Sequence, residues 1–276
     1  MSGERLAGSA FWNGPVSRFP SLKGAASTAY YFDCERLLID TLLPSVAGQR
    51  ILKTDLWDEA KNTEILRWVT GRGADAVGID VSLGIARQAR DVLRGERATI
   101  LVADVRALPF RSDTFDAAYS MGTIEHFPDS AVAVRELFRV LKPGGQAIVG
   151  VPNKLDPFLR PLLVHALNVL GRYAYGMERS FTPGSLRRLL ASAGFRVTAL
   201  SGILFMPGWL RMLDLWCHVH RLRLAAVTGW CVRPFAWAYR NLPFVRRHGY
   251  LIACLATKPT APESGRPAPR EGALVF

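Results

Sequence analysis

The sequence predicts an α/β protein built on an open, mostly parallel sheet, and three observations carry that prediction. From Arg50 to Val151, short apolar runs alternate with amphipathic stretches of helical period. The block Leu101–Gly145, LVADVRALPFRSDTFDAAYSMGTIEHFPDSAVAVRELFRVLKPGG, orders strand, loop acid, strand, polar-tipped loop, helix and Gly turn without interruption. The 276 residues, 49% hydrophobic and 21% charged, suffice for one large folded domain with elaborations. A sheet of this kind takes its ligand across the carboxyl edge of its strands.

Taken in order, residues 1–49 read as an N-terminal helical lid in which Phe11, Trp12, Tyr30, Tyr31 and Phe32 lead into a helical run over Cys34–Leu43, closed by Pro44. Arg50–Thr54 (RILKT) is the first strand; Asn62 can cap a helix over Thr63–Thr70, ended by Gly71 and Gly73. Ala76–Asp80 (AVGID) is the second strand, followed by a helix over Ser82–Arg94 and a third strand, Thr99–Ala103. Phe115–Ser120 gives strand four, Ser130–Leu141 a helix, and Gln146–Val151 strand five after a Pro143-Gly144-Gly145 turn. Residues 153–180 form a cap over the ligand edge, with an apolar helical stretch over Asp156–Tyr175. Thr182-Pro183 starts a capped helix to Ala193. Arg196–Phe205 and Tyr250–Thr257 are the last two strands, making seven in all. Between them lies an insertion, 206–249, too long to be a simple turn. The Pro-rich tail 259–276 reads as disordered.

The net charge of +12 favours phosphate-rich or carboxylate-rich partners. Mean hydropathy is +0.12, high for a surface wholly surrounded by water. Cys34, Cys217, Cys231 and Cys254 are widely spaced, and the first residues hold no apolar signal core; buried free thiols in a cytoplasmic protein are the expectation.

The combination of DVRALPFRSDTFDAAYS, the IEHFPD loop and RELFRVLKPGG resembles the class I S-adenosylmethionine-dependent methyltransferases, over roughly Arg50–Val151 plus the 180–194 helix and the final strand. The resemblance implies a Rossmann-like seven-stranded sheet with helices on both faces and S-adenosyl-L-methionine as cofactor. It assigns Asp80, at the end of the second strand, to the ribose hydroxyls, since one carboxylate accepts from both. Asp104 falls to the adenine amino group and the Val105 amide to a ring nitrogen; Ser120 and Met121 fall beside the methionine part. Glu125 and His126 are the catalytic candidates, whether by orienting the acceptor or by taking its proton. Some relatives bind a metal near this loop through a further acid, but Gly122 supplies no such side chain, and no metal is expected.

The pattern breaks after strand one. Where the family has a Gly-rich turn, this chain reads KTDLWDEAKNTE, without a glycine. Asp55, Asp58 and Glu59 can receive the cofactor's ammonium group, with Asp55 the first choice, and Asn62 or Thr63 its carboxylate. A nicotinamide dinucleotide is disfavoured, because no G-x-G-x-x-G follows a strand.

From Arg196 to Lys258 nine basic residues interleave with Trp209, Trp216, Trp230, Trp237 and many aliphatics, while Asp214 is the only acid. This suits an interfacial helix pair at an anionic membrane surface or around a lipid-linked acceptor, placing the protein at the inner membrane face. The longest uncharged run, Val197–Leu210, is too short to span a bilayer. Nucleic-acid binding is weighed down by the lack of a recognised binding module. The expected activity is methyl transfer to a small or lipid-linked acceptor. The rivals are a non-catalytic scaffold that kept the fold and an RNA methyltransferase; acceptor identity and oligomeric state stay open.

Overall fold

The computed structural model describes residues 20–43, 45–171, 173 and 176–260. The expected lead-in aromatics Phe11 and Trp12, the helix-closing Pro44, the helix end at Tyr175 and most of the 259–276 tail lie outside the described residues.

Seven strands form one sheet: β1 (Arg50–Lys53), β2 (Asp75–Asp80), β3 (Ala98–Val102), β4 (Phe115–Met121), β5 (Leu141–Pro152), β6 (Arg196–Ile203) and β7 (Leu251–Thr257), in the spatial order β3-β2-β1-β4-β5-β7-β6. The first five run parallel; β7 lies antiparallel between β5 and β6, pairing Val149 with Cys254. The order reverses between β1 and β4, which opens the ligand crevice of an open α/β sheet at their carboxyl ends.

Helices cover both faces. On one lie α1 (Ala26–Leu42), α3 (Ile65–Gly71) and α4 (Leu83–Val92), packed around Ile51, Ala76 and Ile148; on the other, α5 (Ser130–Val140) and α7 (Pro183–Ser192) pack on Leu52, Val77 and Val149. These β-strand residues alternate between the two cores, as the two-residue period of a strand requires. Local chemistry sets the helix starts. Ser82 accepts from the Ile85 amide, Asp129 from the Ala131 amide, and Thr182 and Ser185 form a reciprocal capping box ahead of Pro183.

Several expectations are corrected. Helix α1 begins at Ala26, so Tyr30, Tyr31 and Phe32 lie within it rather than before it; nine residues of its face, including Tyr30 and Tyr31, supply buried contacts that propensity alone does not show. Asn62 does not cap the following helix. It ends an unforeseen short helix, α2 (Trp57–Lys61), and its side chain bonds Asp58 and Thr28, while α3 starts after Glu64 at a left-handed φ of 59°. Pro143-Gly144-Gly145 is not a turn before β5 but an irregularity within its pairing, with Gly144 at φ 81°. Cys34, Cys217 and Cys254 are buried as expected, but Cys231 is exposed on an outward helix face.

Beyond β5 the chain builds the cap helix α6 (Arg160–Val169). Between β6 and β7 it builds α8 (Gly208–Val219), α9 (Leu224–Asn241) and a 3-10 turn over Pro243–Arg247. Among the described residues no helix is long and apolar enough to cross a membrane.

Candidate active site

A cleft of about 280 Å³ opens over the carboxyl ends of β1 to β5, roofed by α1, the cap and α8. Asp55, Asp80, Asp104, Val105, Met121, Glu125 and His126 all line it. Ser120 lies outside that lining, 1% exposed, where it accepts a hydrogen bond from the Thr54 hydroxyl at 2.9 Å; Thr54 in turn meets Thr123 at 3.1 Å.

The glycine-free loop reaches this cleft by a different construction from a Gly-rich turn. Its Leu56 is fully buried against β2, where Gly78 leaves the room: a Cβ at position 78 would stand 2.5 Å from Leu56 Cδ2 and 2.9 Å from Leu66 Cδ1. The close approach is therefore supplied by a glycine in the neighbouring strand. With Leu56 seated there, its amide donates to Asp80 Oδ2 at 3.1 Å, and the Ser82 amide donates to Oδ1 at 2.8 Å. Each carboxylate oxygen keeps a second lone pair, so Asp80 is oriented yet still able to accept from two hydroxyls. Burial raises its pKa above the ordinary range, with the two amides pulling the other way.

Lys53, 1% exposed at the end of β1, is a site residue that the sequence did not reveal. Its ammonium donates to Glu59 Oε2 at 3.0 Å and to the Asp55 carbonyl, with Asp58 Oδ2 at 3.7 Å and Asp55 Oδ2 at 3.9 Å. Glu59 completes the joint by accepting the Leu66 amide at 3.0 Å, which ties the first turn of α3 to the buried lysine. Glu35 of α1 stands nearby, held by Tyr119 at 2.8 Å and Thr63 at 2.6 Å. Burial works against the Lys53 charge, but the surrounding carboxylates outweigh it and hold its pKa above the usual lysine range. Among the described residues, Lys53 is thus the cation set against Glu35, Asp55, Asp58 and Glu59. Burial first, and then repulsion from Asp58 and Asp80 against the pull of Lys53, pushes the Asp55 carboxyl well up. A cationic ligand group in the cleft would relieve that excess, so the chemistry of this corner fits the ammonium of S-adenosylmethionine.

At the opposite end, Asp104 is clasped by Arg106 through its amide at 2.8 Å and its guanidinium at 2.6 to 3.1 Å. Burial would raise the Asp104 pKa, but these bonds and the Arg106 charge bring it below the ordinary value. The guanidinium lies 4.6 Å over the Phe127 ring. The acid is ionised and fixed in place, as an acceptor of an amino group must be.

Beneath the cap, Glu125 is 2% exposed and its Oε2 has no partner. Burial and the neighbouring Glu178 push its carboxyl well above the usual range, favouring the neutral form. His126 Nδ1 lies 2.8 Å from the Met177 carbonyl, so Nδ1 donates and Nε2 carries the lone pair; burial holds the ring below its ordinary pKa despite that bond. A triad of the buried Arg160 with the half-buried Tyr173 and Glu178 faces them. Arg160 grips Glu178 with two bonds of 2.5 and 2.8 Å, Tyr173 bonds both, and the guanidinium lies 4.2 Å over the Tyr250 ring. For Glu178, burial would raise the pKa, but Arg160 outweighs it and the carboxylate stays ionised. Arg160, Tyr173 and Glu178 lay in a stretch that reads as apolar cap; only the tertiary contact turns them toward the cleft.

Residues 60–149 match the methyltransferase domain family. An uncharacterized protein of Mycobacterium tuberculosis is 32% identical over 148 residues, 53% of this chain and 50% of that one, so the match spans about half the relative's length. The ubiquinone/menaquinone biosynthesis C-methyltransferase of Geobacter sulfurreducens is 32% identical over 142 residues, 45% of this chain and 56% of its own. Among solved structures, an S-adenosylmethionine-dependent methyltransferase from Mesorhizobium loti superposes with a TM-score of 0.57 at 19% identity, covering 86% of this chain and 100% of that one.

Proposed function

We propose that this chain, whose central domain is a class I S-adenosylmethionine-dependent methyltransferase domain, transfers the donor's methyl group to a small or lipid-linked acceptor held beneath the cap. The observation that carries the reading is the meeting of Asp80, Asp104 and the carboxyl-rich corner at Asp55 along one cleft. Asp80 takes the ribose hydroxyls, Asp104 and the Val105 backbone read the adenine edge, Met121 packs beside the methionine part, and Asp55 with Asp58 receives the ammonium. When bound, the cofactor supplies a sulfonium methyl that is already electrophilic. What the protein adds is alignment, exclusion of water and management of the acceptor's proton.

His126 and Glu125 sit where an acceptor would lie. His126, neutral with Nε2 basic, is suited to take a proton from a hydroxyl; Glu125, with one oxygen unpartnered, is suited to hold that hydroxyl in line. The Geobacter relative's name specifies a quinone-pathway C-methylation, which supports an oxygenated ring as acceptor. The exposed Trp209, Trp216, Trp230 and Trp237 of the insertion support attachment to an anionic membrane surface through 206–249.

The test is isothermal titration of the purified chain with S-adenosylmethionine and S-adenosylhomocysteine. Micromolar binding of both is expected. Failure of either to bind folded protein would remove the enzymatic reading and leave a scaffold that uses the fold alone.

A further inference from the structure

The apolar residues exposed on this molecule are not scattered. On α8, Trp209, Met212, Leu213 and Trp216 follow one helical stripe, while Leu210, Asp214 and Cys217 point inward. On α9, Leu224, Val227, Trp230 and Trp237 do the same, with Trp230 69% exposed. The cap carries a third stripe, Leu159, Leu162, Val169 and Leu170, reaching 74% exposure at Val169. A helix with a polar outer face needs only its inner stripe to fold, so these second stripes add nothing to the core.

The three stripes belong to one assembly. Phe158 of the cap stacks edge-on against Phe205 and Phe235 at 4.9 and 5.8 Å, and Gly208 at the start of α8 faces Leu163 and Arg160 of α6. They also meet the cleft. Met212 stands in the exposed α8 stripe, 46% exposed, and lines the cleft; Arg160, which lines the cleft from the other side, directly follows the exposed Leu159.

The charge on this surface has one sign. Within 153–171 and 206–249 the only acids are Asp156 and Asp214, both buried, and Asp214 is spent on the Ser27 amide at 2.8 Å and the Thr228 hydroxyl at 2.7 Å. Arg221, Arg223 and Arg233 are exposed among the tryptophans. Two copies meeting through this face would set cation against cation. An anionic bilayer meets it with the opposite charge and accepts the tryptophans at headgroup depth.

We propose that the cap and the insertion form a single bilayer-facing surface around the mouth of the cleft. Through it an amphiphile with an oxygenated polar head reaches Glu125 and His126 while its hydrocarbon tail stays in the membrane. This rests on the methyltransferase reading for what happens to the head, but the surface stands on its own geometry.

The experiment is co-sedimentation of the full chain with phosphatidylcholine vesicles, with and without phosphatidylglycerol, each variant being titrated with S-adenosylhomocysteine as a check of fold and cofactor site. Binding to the anionic vesicles is expected. W209S/W216S should weaken it at least about tenfold, R221S/R223S by about fivefold per arginine, and L159S/L162S in the cap as strongly as the tryptophan pair. Vesicle binding untouched by the cap variant would overturn the two-sided surface. No vesicle binding by protein that binds S-adenosylhomocysteine would overturn the membrane partner, as would a dimer in sedimentation analysis that W209S/W216S dissolves. Vesicle binding without S-adenosylhomocysteine binding would support the surface and remove the methyltransferase reading instead.

Discussion

Lys53→Met isolates the interaction that replaces the Gly-rich turn. The lysine is 1% exposed and its partner Glu59 is fully buried, so removing the cation leaves Glu59 with only the Leu66 amide. Losing one partner of a buried pair costs about 3–5 kcal/mol when the remaining charge stays ionised. Glu59 can limit that cost by taking up a proton. From the ordinary glutamate value of 4.5, holding it protonated at pH 7 costs about 3.4 kcal/mol and at pH 5 less than about 1. The folded pKa of Glu59 rises further above its unfolded value in the variant. The proton therefore favours the folded state below the ordinary carboxyl range, and that advantage is lost as pH rises. The deficit of Lys53→Met against the parent, measured by urea unfolding, should be about 3 kcal/mol at pH 7 and shrink to about 1 at pH 5. Lys53→Met/Glu59→Gln should recover most of it at pH 7. A deficit that does not change with pH, or a double variant as unstable as the single, would refute the assignment of Lys53 as the counter-charge that holds α3 to β1.

Asp80→Asn keeps acceptor capacity for one amide but loses the charge; it should weaken S-adenosylhomocysteine binding about tenfold, and Asp80→Ala about a hundredfold, by titration of variants shown to be folded. Unchanged affinity would move the ribose site elsewhere. Gly78→Ala drives a methyl into Leu56 and Leu66 and should cost about 1–3 kcal/mol in unfolding experiments, with partial rescue by Leu56→Ala. The raised carboxyls of Asp55 and Asp80 must ionise to receive an ammonium and two hydroxyls, so cofactor affinity should climb as pH rises above the ordinary carboxyl range. Over the same window the ligand-free protein should lose stability, since groups with raised folded pKa values favour the fold below that range and cease to as pH rises through the raised values. Calorimetric titration and thermal unfolding across pH should show these opposite slopes; parallel slopes would contradict the charge assignment.

The strand runs RILK, AVGID, FDAAYS and QAIVGV were legible because strand period and apolar burial are local properties, and the acids ending β2 and following β3 were legible because they occupy strand ends. The helix starts near Ser82, Ser130 and Thr182 were equally so, since what fixes a helix start is contact between near neighbours. Asn62 misled for the same reason turned round: its side chain found a better partner in Asp58 and in Thr28, far away in sequence. Lys53 sits within the strand run RILKT and carries no signal there, because only the fold of α2 back over β1 brings Glu59 to it. Arg160, Tyr173 and Glu178 could not be read as one cluster, because what joins them is the crossing of the cap over the sheet edge. Sequence by itself determined the α/β sheet, the place of the ligand edge and the acids upon it, all set by periodicity and position. Tertiary structure alone decided how a loop without glycine approaches Asp80, which charges balance in the buried corner and which apolar stripes stay uncovered, because each depends on residues far apart in the chain competing for the same space and the same partner.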